Sequence, residues 1–133
     1  MRRQITVIVL ALSAVIAGLG QDEQEYTGWM KTIGASAGSL RKNIAAKSAD
    51  AAKDAKALEE AFGKVHKFWM QKKIDGAMKF AADAQSGFRE VAAKAAAGDF
   101  EGADAALKTA SANCAGCHKV HREKVEGGWK IKY

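Results

Sequence analysis

Apolar residues recur along this chain in alternating steps of three and four, the spacing that gathers them on one stripe of a bundle helix. Four such runs follow one another. Met30, Ile33, Ala37, Leu40 and Ile44 form the first stripe; Ala51, Ala55, Leu58, Phe62, Val65 and Trp69 form the second. Ala77, Ala81, Ala84, Phe88, Val91 and Ala95 form the third; Phe100, Ala103, Leu107, Ala110, Cys114, Cys117 and His121 form the fourth. They predict helices over 22–45, 49–71, 74–97 and 99–125. Ser48 is placed to cap the second helix, and Asp99, after Gly98, to cap the fourth. Between Gln71 and Asp75 no strong breaker appears, and one continuous helix is the alternative there. There is no strand pattern and no proline. Connections of a few residues make sequence neighbours antiparallel. The fold class expected is all-α, an antiparallel up-down-up-down four-helix bundle.

A different pattern precedes the helices. Arg2 and Arg3 lead an apolar run from Ile5 to Ala17, followed by Gly18-Leu19-Gly20 and then the polar Gln21-Asp22-Glu23. This is the layout of a cleavable export signal. The run is short for a membrane span of about 20 residues, so an uncleaved anchor is the weaker alternative. The chain therefore divides into a signal over 1–20 and one domain over 21–133. The formal charge of +6 falls by two without Arg2 and Arg3. Lys53, Lys56, Lys64 and Lys67 lie among alanines and acids with no aromatic interleaving, which reads as a solvated face and not as a nucleic-acid surface. His66, off the second stripe, is expected to be exposed.

The chemistry lies in Cys114-Ala115-Gly116-Cys117-His118, which uses both cysteines of the chain. Cys-x-x-Cys-His is the attachment pattern of c-type haem: each thiol adds across a haem vinyl group to give a thioether, and the adjacent imidazole becomes an axial iron ligand. Chance placement of two cysteines and three histidines gives the pattern about once in 3000 arrangements. Zinc held by Cys114, Cys117, His118 and His121 competes, but the spacing is too compact for the usual separated ligand pairs. A thioredoxin-like pair wants a preceding strand, and a plain disulfide leaves His118 unexplained. The expected cofactor is one covalent haem c with its iron, bound by Cys114 and Cys117 and ligated by His118. The cysteines share the inward stripe with Leu107, which turns the macrocycle into the bundle, and a buried porphyrin fills volume that the alanine-rich stripes leave.

With these residues in place, the chain resembles the cytochrome c prime family, the class II c-type cytochromes, which are four-helix bundles carrying haem near the C-terminus. Their closing pattern is Cys-x-x-Cys-His-x-x-aromatic-Arg. Here Arg122 matches, and His121 stands where the aromatic residue is expected. The family's first helix tends to carry Arg-x-x-x-Leu/Met-Lys; here Met30-Lys31 match and Tyr26 replaces the arginine. The resemblance implies that Met30 stands over the distal haem face, with a core residue as its other reading. A ligating thioether gives a low-spin electron carrier, whereas an unbonded residue leaves five-coordinate iron open to nitric oxide or carbon monoxide. Arg122, four residues after His118 on a helix, is expected beside the proximal imidazole; a surface pair with Glu126 is the alternative. His121 is expected on the proximal side, at a propionate or shielding the pocket.

The function expected is therefore a periplasmic mono-haem c-type cytochrome that carries electrons between periplasmic redox partners. The alternative is a five-coordinate haem protein that sequesters or senses nitric oxide or carbon monoxide, and a bundle without haem is a third reading. No catalytic arrangement suggests an enzyme. The resemblance leaves room for a homodimer through the first two helices.

Overall fold

The computed structural model describes residues 20–133; the export signal expected over 1–20 lies outside them but for Gly20. Four helices run in order: α1 (Gln21–Ala45), α2 (Asp50–Lys72), α3 (Asp75–Ala96) and α4 (Phe100–His121). They pack against one another, as the stripes require. Every residue of the second and third stripes is buried. On α1, Ile33, Leu40 and Ile44 are buried and Met30 and Ala37 half-buried. On α4, Ala103, Leu107 and Ala110 are buried, while Cys114, Cys117 and His121 are half-covered. Lys53, Lys56, Lys64 and Lys67 are all exposed, and His66, expected to be exposed, is half-buried.

Aromatic residues supply volume where alanine does not. Phe62 and Phe88 stack with centroids 5.4 Å apart. Tyr26, Phe68 and Trp69 form a second cluster in which the Trp69 indole N–H donates to the Tyr26 hydroxyl at 3.2 Å. Small residues serve to bring backbones together: a Cβ on Gly87 would stand 2.7 Å from the Cβ of Ala110, so α3 and α4 touch closely there.

All three helix connections reverse through one residue in left-handed conformation: Lys47 (φ 52°), Lys73 (φ 58°) and Gly98 (φ 75°). At the unmarked second connection, the amide N–H of Ile74 donates to the Trp69 carbonyl at 3.3 Å and closes α2, so the continuous helix does not form. Ser48 Oγ accepts the Asp50 N–H at 3.2 Å. Asp99 caps α4 as expected, accepting the Gly102 N–H at 2.8 Å.

The fourth helix departs from expectation. It stops at His121, and residues 122–131 form an antiparallel hairpin of β1 (Arg122–Val125) and β2 (Gly128–Ile131), with Arg122 opposite Ile131 and Val125 opposite Gly128. The reversal uses Gly127 (φ 82°) and Gly128 (φ 156°), conformations that residues with a Cβ rarely adopt. Once the chain turns back, the backbone groups of 122–125 bond across to β2 and not along a helix. The all-α bundle thus carries a small β appendage.

The helices α1 and α2, α2 and α3, and α3 and α4 pack along their lengths, whereas α1 and α4 barely meet. Along that open seam lie Cys114, His118 and Arg122, three of the residues expected to carry the chemistry. Among the described residues, no helix is long and apolar enough to cross a membrane.

Candidate functional site

The open seam forms a cleft of about 630 Å³, within the range of roughly 300–1,000 Å³ common for ligand sites. One wall is the last three turns of α4, which present Ser111, Cys114, Ala115, His118 and Lys119. Ile33, Ala37 and Arg41 of α1 face them, Phe88 of α3 lies between, and Arg122 and Trp129 of the hairpin complete the lining.

Helix continuity positions the motif. Cys114, Cys117 and His118 all fall within α4, and Cys114 and His118, four residues apart, share the face on the cleft. Gly116 belongs on the opposite flank: a Cβ there would lie 2.6 Å from Cε1 of Phe80, so glycine lets α4 rest against α3 behind the motif. Neither cysteine is in a disulfide. Burial pushes both thiols up, Cys117 to about 11 with a further contribution from Cys114. They are therefore protonated at neutral pH, unlike the activated thiolates of redox pairs. Burial, and then the Arg122 charge, lowers the pKa of His118, so its imidazole is neutral and keeps a lone pair for a ligand bond.

The structure brings Cys114, His118 and Arg122 onto one cleft. Cys117 lies on the flank towards Tyr26, whose phenol is close enough to feel it. Met30 is half-buried and packs on the core, and it is not among the residues lining the cleft; Ile33 and Ala37, one and two turns further on, occupy that wall. Arg122 reaches the cleft by a different route from the helical one expected. It is extended (φ −136°, ψ 134°), and its guanidinium lies over Trp129 at 3.7 Å instead of pairing with Glu126. His121 turns away: its ring packs on Trp69 at 5.1 Å, and its Nδ1 lies 3.1 Å from the Lys132 carbonyl. Among the described residues, no three His, Cys, Asp or Glu side chains converge on a point that could hold a metal ion, which leaves the four-ligand zinc arrangement without support. Tyr26, in place of the arginine the resemblance expects, is buried against Trp69.

Four lining residues escaped the sequence reading: Arg41, Ser111, Lys119 and Trp129. Arg41 follows Ala37 by four residues and Ile33 by eight, so helical spacing places it on the stripe's edge. Trp129 gave no signal, because its place depends on the hairpin. No protein-family model matches this chain, and no curated protein or solved structure matches it.

Proposed function

We propose that this protein is a mono-haem c-type cytochrome that carries electrons, exported to the periplasm through the signal over residues 1–20. The observation that carries the reading is that Cys114 and His118 of Cys-x-x-Cys-His line a cleft large enough for a ligand, with Cys117 on its flank, both thiols outside any disulfide and a neutral imidazole. The donor set fits the group: Cys114 and Cys117 would hold it by thioethers, and His118 through an imidazole nitrogen. Bound haem supplies a one-electron iron couple. The chain's own contribution is to orient and enclose it. Ile33, Ala37 and Phe88 offer an apolar wall, and Arg122 places a cation near His118, which disfavours an anionic imidazole and raises the reduction potential modestly.

The test is mass spectrometry of protein matured in a host with c-type assembly. The expected mass is that of the chain without its signal plus one haem, retained through acid–acetone extraction. A haem-free mass, or haem lost to the solvent, removes the proposal.

One observation favours a second reading. The α1 residues on the cleft are Ile33, Ala37 and Arg41, none of which donates to iron, while Met30 packs on the core. A haem held there with His118 alone would leave a coordination position for nitric oxide or carbon monoxide, which suits sequestration or sensing.

A further inference from the structure

We propose that Arg41 and Arg122 form a carboxylate clamp across the cleft, which selects a flat apolar ligand bearing two separated carboxylates; resting on the haem reading, these are the two propionates. The described residues contain three arginines. Arg89 is engaged, its Nε 2.7 Å from Glu59. Among the described residues, neither Arg41 nor Arg122 has an acidic partner, and both line the same cleft.

The electrostatics of the cleft are one-sided. Arg41, Lys119 and Arg122 line it together with the neutral His118, and no Asp or Glu is among the lining residues. Arg41 and Lys119 are exposed and Arg122 is half-buried, and a covered cation without a counter-charge is costly. Arg122 goes further: its Nε is fully buried and has no hydrogen-bond partner. An arginine in this state is completed by an anion. The guanidinium fork matches a carboxylate with two parallel hydrogen bonds, which a lysine cannot do. The Arg122 guanidinium carbon lies over the Trp129 ring, 3.7 Å from its centroid, which restrains the side chain.

Placement sets the ligand's shape. Arg41 stands on α1 and Arg122 on β1, on different walls, so they suit two carboxylates on one body and not a single anion. Ile33, Ala37 and Phe88 give that body an apolar surface.

The test titrates the full chain, produced without haem and kept reduced, with ferric haem and with its dimethyl ester, read by absorbance. The ester keeps the ring and iron but removes both charges. Haem should bind at least about tenfold more tightly than the ester, a preference of the size that charge-assisted pairs give. In Arg41→Leu/Arg122→Leu the preference should fall below about twofold, with ester affinity unchanged, which shows the cleft intact. Where the double variant loses the ester too, Arg41→Gln and Arg122→Gln singly are judged by the same ratio. Equal affinities in the parent chain, or a preference that survives in the variants, overturn the clamp while leaving the haem reading standing. Binding of neither form overturns the haem reading and the clamp with it.

Discussion

Arg122 lies over Trp129 on one side of the hairpin, with the guanidinium carbon 3.7 Å from the ring centre. The register explains the pair. Arg122 faces Ile131, and Trp129 is two residues before Ile131, so the two side chains are diagonal neighbours on one face. Although 58% of Trp129 is exposed, it is held in place by this contact. Trp129→Ala should cost about 1 kcal/mol of stability and speed amide exchange across residues 122–131. Unchanged protection of the hairpin would show that the strands stand without the stack.

Met30 separates the two functional readings. For an electron carrier with a thioether on iron, the ferric protein is low-spin with a sulfur-to-iron charge-transfer band. Met30→Ala then abolishes the band, lowers the potential and opens the iron to carbon monoxide. A wild-type ferric spectrum that is already high-spin, and unmoved by Met30→Ala, assigns Met30 to packing and promotes the gas-binding reading.

Two glycines should respond with opposite signs. Gly34 is exposed within α1 with nothing within 4 Å of a new Cβ, so Gly34→Ala should stabilise by up to about 1 kcal/mol through helix propensity. Gly87→Ala meets the Ala110 Cβ at 2.7 Å and its Cα at 3.1 Å. Forcing α3 and α4 apart should outweigh propensity and destabilise by about 1–3 kcal/mol. Thermal melts of the two variants check the pair.

Alkaline pH should weaken the fold. Burial raises the Tyr26 phenol well above its ordinary value, and burial together with Glu23, which accepts from the hydroxyl, pushes Tyr133 up to about 12. Both phenols stay protonated in the folded chain at pH values where the unfolded chain, near pH 10, begins to lose its protons. Stability from these groups is fully present below pH 10 and declines above it. The Tyr133 part is gone near pH 12 and is worth no more than about 1 kcal/mol, since the ring is 55% exposed. Urea melts at pH 9 and 11 should show the loss, and Tyr26→Phe should flatten it.

Without attached haem, α1 should be the loosest helix. In Cys114→Ala/Cys117→Ala, broad thermal unfolding and fast amide exchange confined to α1 are expected, with α2 and α3 still protected. Uniform exchange across all four helices would contradict the open seam.

The stripes of α2 and α3 made those helices legible because burial on one face leaves a strict period, and every stripe residue proved to be inside. The motif stood out for another reason: Cys-x-x-Cys-His is a local pattern that owes nothing to packing, so Cys114 and His118 could be named before any cleft was known. What escaped was non-local. Lys47 and Lys73 reverse the chain where glycine is the usual signal, so nothing in the sequence marks those turns. The hairpin depends on pairing between 122–125 and 128–131, two four-residue runs with no apolar face to announce them. Arg41 acquired its neighbours only when α1 and α4 were left apart.

That gap also bears on how the chain gets there. Each tightly packed seam joins helices adjacent in sequence, and the only seam that would require the first helix to find the last is the one left unfilled. The long loop closure that slows other topologies is therefore nearly absent, and contact order is low. Helical hairpins can zip successively from either end, and the bundle's final closure is deferred. If the proposed haem is attached after export, such a chain assembles quickly while residues 114–118 stay within reach of the attaching machinery.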